Sequence, residues 1–143
     1  MSPSEPSGVT LLLPHTAEYA LRAMACLAQA EPGAWLSRET LVAQAMLPTA
    51  YASKVLRRLV VSGLIEGKRG WHGGFRLARP PAEIRFLEVL QAVDCDPESG
   101  RCAFGYGECD CNNPCPLHGP WSEVQSRVRS WAWTTTLADT GAF

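Results

Sequence analysis

The sequence predicts a mainly α-helical fold that carries one small β-hairpin. Three observations lead there. Apolar residues recur at three- and four-residue spacing in five segments. A glycine-rich stretch lies between two short alternating runs, the pattern of a hairpin. Helical spacing then resumes near the end, after a long aperiodic stretch. With 143 residues, 46% of them hydrophobic and 19% charged, the chain is long and apolar enough to bury one core.

Residues 1–9 contain the run MSPSEPSG and read as a disordered tail. From Thr16 to Ala30 the chain is rich in Ala and Leu, and Pro32-Gly33 ends the helix. Tyr19, Ala20, Ala23, Met24 and Leu27 form its core stripe, and Cys26, close to that stripe, reads as a small buried hydrophobe. Ser37 is the expected N-cap of a second helix, with Glu39 in the favourable first turn. Leu41, Val42 and Ala45 are its apolar face, and Leu47-Pro48 breaks it. Thr49 is expected to cap a third helix that runs to Ser62 and stops at Gly63. On it Val55, Leu56, Leu59 and Val60 face inward, while Tyr51, Ser53, Lys54, Arg57 and Arg58 stay outside.

Leu64 to Glu66 is short and strand-like, Gly67 to Gly74 turns, and Phe75 to Leu77 returns as a second strand. Pro80-Pro81 closes that unit. A short helix follows from about Phe86 to Val93, with Leu87, Leu90 and Val93 inward. Asp94 to Gly119 has no period and holds five of the six cysteines. A stretch so long without regular structure is functional or disordered. Pro120 suits a first helical position, and Trp121 to Ala138 reads as the last helix. Its apolar residues Trp121, Val124, Val128, Trp131, Thr135 and Ala138 make a narrow seam. A seam of that width fits a second helix better than a monomer's core, so it predicts a homodimer. The divisions are then residues 10–85, 86–119 and 120–143.

The net charge of -1 argues, taken whole, against a nucleic-acid partner. Its distribution argues the other way. From Thr49 to Arg85 eight cations (Lys54, Arg57, Arg58, Lys68, Arg69, Arg76, Arg79 and Arg85) face only Glu66 and Glu83, a net of +6. From Phe86 to His118 six anions face only Arg101, a net of -5. The basic block coincides with the third helix and the hairpin. Three helices followed by a basic hairpin describe a winged helix-turn-helix, whose last helix enters the major groove of DNA. Thr49, Tyr51, Ser53 and Lys54 then approach base edges, while Arg57 and Arg58 reach phosphates. Lys68 and Arg69 sit at the hairpin tip, where Arg69 can enter a minor groove. A winged helix that binds only protein is the alternative.

No stretch reaches the roughly 18 apolar residues of a membrane helix. The start of the chain has no Lys or Arg, unlike an export signal, so a reducing cytoplasmic setting is expected. Cysteines there act more often as metal ligands or reactive thiols than in disulfides. Cys102, Cys109 and Cys115, with His118 three residues on, offer three thiolates and an imidazole. Soft ligands favour zinc or an iron–sulfur cluster. The wide spacings suit a loop around a cluster, and the tighter set Cys109, Cys111 and Cys115 suits zinc. A thiol redox switch is the third possibility. No catalytic constellation stands out, and no C-x-x-C in a βαβ setting supports an oxidoreductase, so an enzyme is not expected.

The chain resembles the iron–sulfur-sensing winged-helix regulators of the Rrf-two family, typified by IscR and NsrR. The resemblance rests on Ala17 to Arg22, Tyr51 to Leu59, the hairpin Lys68 to Arg79, the run Cys109 to His118, and Thr135 to Asp139. It spans roughly Thr10 to Asp139. It implies a homodimer on a palindromic operator, with recognition helices about 34 Å apart, one turn of DNA. It implies an iron–sulfur cluster held by Cys102, Cys109 and Cys115, 2Fe–2S preferred to 4Fe–4S. The fourth ligand is His118 in IscR-like members and an acidic residue matching Glu18 in NsrR-like ones, and this chain carries both. Cys95 and Cys111 are additions to the family pattern, and Cys111 is the substitute thiolate. The expectation is a transcriptional repressor whose operator affinity follows redox state, nitric oxide or iron. The alternative is a zinc-stabilised or thiol-redox regulator, or an interaction module.

Overall fold

The computed structural model describes residues 13–95, 116 and 118–141. Helix α1, His15–Gln29, is the central post. Its Ala17, Ala20 and Ala23 are fully buried, and such small side chains let neighbouring helices pack closely. Helix α2, Arg38–Gln44, starts where Ser37 Oγ accepts a bond from the Thr40 amide at 3.1 Å, as expected of an N-cap. Helix α3, Thr49–Val61, lays Ala52, Val55, Leu56 and Leu59 into the core. Gly63 follows at φ +82°, the left-handed conformation that ends a helix at little cost.

Strands β1, Ile65–Lys68, and β2, Gly74–Leu77, pair antiparallel, with Ile65 opposite Leu77 and Lys68 opposite Gly74. A third stretch of backbone joins them. Leu36 and Phe75 exchange both backbone hydrogen bonds, at 2.9 and 2.8 Å, which pins the hairpin to the entry of α2. Helix α4, Phe86–Ala92, buries Leu87, Val89 and Leu90. Helix α5, His118–Thr134, is followed by a 3-10 turn at Leu137–Thr140. That turn is tied back across the molecule. The Phe86 amide donates to Thr135 O at 2.9 Å and the Leu137 amide to Ile84 O at 3.0 Å. Ala132 and Leu137 are buried in the same core as Met24, Leu56 and Ile84.

Several expectations need correction. Pro48, not Thr49, holds the cap position of α3, because its carbonyl already accepts the Tyr51 and Ala52 amides. Val60 is 37% exposed, beside Gly67 of β1, instead of inward. Cys26 is only partly buried. Helix α5 begins at His118 and ends at Thr134, not Pro120 and Ala138. Proline is tolerated in a first helical turn because its missing N–H has no partner to lose. Thr135 and Ala138 therefore fall outside the helical seam: the backbone at Thr135 and Thr136 is drawn out to pair with Arg85 and Phe86. The tail expected at residues 1–9 lies outside the described residues.

Candidate nucleic-acid interface

The outer face of α3 is built from residues that its buried face leaves over. Thr49, Ser53, Lys54 and Arg57 are exposed, and Tyr51 is 41% exposed. The helix contains no acidic residue. Tyr51 rests against Tyr19 at 5.2 Å between ring centroids, and the Tyr19 hydroxyl shares a 3.3 Å bond with His15 Nδ1. Arg38, at the start of α2, donates to Ser53 Oγ at 2.7 Å and so adds a cation to this face. Arg38 precedes the basic block in sequence and joins this face only through the fold.

The hairpin supplies a second basic edge. Lys68 and Arg69 are exposed at its turn. Trp35 organises its stem: the Arg76 guanidinium stacks 4.2 Å from the Trp35 ring centroid, and Lys68 Nζ lies 5.5 Å from it. Arg76 Nε also donates to Glu66 at 2.8 Å. A cleft of about 470 Å³ separates α2 from the hairpin, with Arg38, Glu39, Lys68 and Arg69 on its walls. The turn requires glycine at two positions. A Cβ on Gly73 would strike the Lys68 carbonyl oxygen, and one on Gly74 the Leu36 carbonyl oxygen.

Arg58 is placed differently from its neighbour. It is partly buried, donates to Val93 O at 3.3 Å, and pairs with Asp94 at 3.4 Å. It therefore ties α3 to the end of α4, next to Cys95. Cys95 is itself fixed: its amide donates to Leu90 O at 2.8 Å and its thiol to Val93 O at 3.3 Å. Burial, then the Asp94 carboxylate, pushes the Cys95 thiol up in pKa. Burial alone pushes up the Cys26 thiol. Both are poor thiolates.

Of the proposed ligands, Cys102, Cys109, Cys111 and Cys115 lie outside the described residues. His118 is the first residue of α5, and Glu18 stands in the first turn of α1. Among the described residues no three His, Cys, Asp or Glu gather as a metal site. No helix among them is long and apolar enough to cross a membrane.

The family described as "Rrf2: Iron-dependent Transcriptional regulator" matches residues 13–141. Rv1287 of Mycobacterium tuberculosis, named among HTH-type transcriptional regulators, is 36% identical over 124 residues, covering 86% of this chain and 76% of that one. T. potens IscR superposes with a TM-score of 0.71 at 22% identity, over 93% of this chain and 86% of its own. CymR, the global cysteine regulator of B. subtilis, superposes at 0.73 with 20% identity, over 90% of this chain and 94% of its own. This chain shares its winged-helix fold with both of those solved structures.

Proposed function

Because the chain belongs to the Rrf2 family of transcriptional regulators, we propose that it represses transcription by binding a palindromic operator as a homodimer, with operator affinity set by an iron–sulfur cluster. The observation that carries DNA binding is the acid-free face of α3, with Lys54 and Arg57 exposed on it and Lys68 and Arg69 exposed on the adjoining hairpin. Thr49, Tyr51, Ser53 and Lys54 face the major groove in this reading, and Arg57 reaches a phosphate.

The donor chemistry fits a cluster. Cys102, Cys109 and Cys115 are soft ligands suited to iron, with His118 or Glu18 as the fourth ligand and Cys111 as a substitute thiolate. A bound cluster supplies redox chemistry and reactivity toward oxidants and nitric oxide. The raised pKa of Cys26 and Cys95 argues against either as a reactive-thiol switch. Arg58 supports the coupling. Residues 93 and 94, which lead into the cysteine segment, share its guanidinium with α3, so a displacement there pulls on the recognition helix.

Protein purified without oxygen is expected to be coloured, to contain iron and sulfide, and to change its operator affinity about ten-fold on exposure to air. The operator is obtained by selection from a random duplex library. A Cys102→Ala, Cys109→Ala, Cys115→Ala variant loses both colour and response. Colourless wild-type protein carrying stoichiometric zinc, or operator binding indifferent to air, overturns the cluster reading and leaves the regulator one.

A further inference from the structure

We propose that Trp71 is an apolar wedge that enters the DNA minor groove and loosens a base step; the proposal rests on the DNA-binding reading above. Trp71 stands at the hairpin tip and is 91% exposed, the most exposed large hydrophobic residue among those described. Among the described residues its one ring neighbour is His72, 6.3 Å away. Lone exposed apolar residues are common on proteins, so exposure by itself means little. What distinguishes Trp71 is its mount.

The backbone beneath it is fixed. The Gly73 amide donates to Gly70 O at 3.0 Å and closes the turn. Gly70 at φ +91° and His72 at φ +62° set its path. The absence of a Cβ at Gly73 and Gly74 lets the turn press against the carbonyls of Lys68 and Leu36. Leu36 is in turn bonded to Phe75. The indole is thus carried on a turn braced through its backbone, so little backbone ordering remains to be lost on contact.

The surrounding charge selects the partner. Lys68 and Arg69 lead into the tip, while Arg76 lies in the stem, stacked on Trp35 and paired with Glu66. A flat apolar ring at the tip of a hairpin that carries exposed Lys68 and Arg69 matches a groove with phosphate rims and an interior of sugars and base edges. Side chains inserted there unstack a step and bend the duplex. This role is separate from that of Arg69, which contributes charge.

The test uses a duplex selected by the wild-type protein from a random library, with 2-aminopurine placed in turn at its A·T positions. Wild-type protein should raise 2-aminopurine fluorescence at a step outside the major-groove contacts. Trp71→Ala should abolish that rise and weaken binding about ten-fold. It should leave the slope of log affinity against log salt unchanged, since no phosphate contact is lost. Trp71→Phe should restore most of the signal, whereas Arg69→Ala should reduce the salt slope and keep the signal. Trp71→Ala binding within two-fold of wild type with an unaltered signal overturns the wedge alone. So does a reduced salt slope in that variant. Wild-type protein that retains no duplex overturns the DNA-binding reading, and the wedge with it.

Discussion

Arg57 and Arg58 are adjacent in sequence, and the fold gives them different tasks. Arg57 is exposed and forms no hydrogen bond or ion pair among the described residues, while Arg58 holds Val93 and Asp94. Arg57→Ala should weaken operator binding, lower the salt slope by about 1, and leave the melting temperature unchanged. Arg58→Ala should instead destabilise the protein by about 1 kcal/mol, because a bond to one backbone carbonyl is lost and the ion pair is too exposed to add much. Binding curves across a salt series and thermal melts separate the two. Helical spacing alone put both arginines outside. It could not distinguish them, because the partner of Arg58 lies 35 residues along the chain. Trp35 was illegible for a similar reason. Its role as a platform for Arg76 exists only once the hairpin folds back onto the entry of α2.

At the scale of elements, α1 to α4 and the hairpin were legible because each carries its own start, stop and period. Ser37 caps, Gly63 stops, and the Ile65-to-Leu77 pairing follows the glycine-rich turn. The ends of α5 were not legible, because a remote partner decides where it ends: Thr135 and Thr136 leave the helix to pair with Phe86 and Arg85. What remains of the seam on α5 is a partly uncovered stripe, with Val124 38% and Trp131 42% exposed and Trp121 and Val128 half-buried. Trp131 also packs edge-on against Phe86 at 5.4 Å, so the stripe is continuous with the body of the domain. Under the dimer reading, Val128→Asp places a charge in that stripe. Sedimentation should then show a monomer, with operator affinity down by about a hundred-fold or more, since two half-sites no longer bind as one. A dimer that survives the substitution would move the interface elsewhere.

For the whole molecule, the net charge of -1 conceals more than it tells, because it sums an acidic stretch and a basic block, in which Arg58, Arg76, Arg79 and Arg85 are tied within the fold while Lys54, Arg57, Lys68 and Arg69 stay exposed. The core is likewise shared across the divisions that the sequence suggested. Leu137 lies beyond the last helix, yet it is 1% exposed and packs in the cluster that contains Leu56 and Ile84. Leu137→Ala should therefore cost about 2–4 kcal/mol and lower a single melting transition for the whole domain. Two separate transitions would mean that the C-terminal helix folds apart from the rest. The anchoring of this last turn also has a topological meaning. Arg85 and Trp133, 48 residues apart, are joined by a 2.8 Å bond and by stacking at 4.0 Å, and Arg85 and Thr136 pair through their backbones. The polypeptide between them is a ring already shut by the fold. Closure entropy grows only with the logarithm of ring size, about 0.6 kcal/mol per doubling. In the cluster reading, bonds from Cys102 and Cys115 to one metal group would close a small ring nested inside this larger one. Under that reading, making or breaking those bonds changes a local entropy and leaves the outer ring shut, so a cluster could be gained or lost without the unfolded chain being visited.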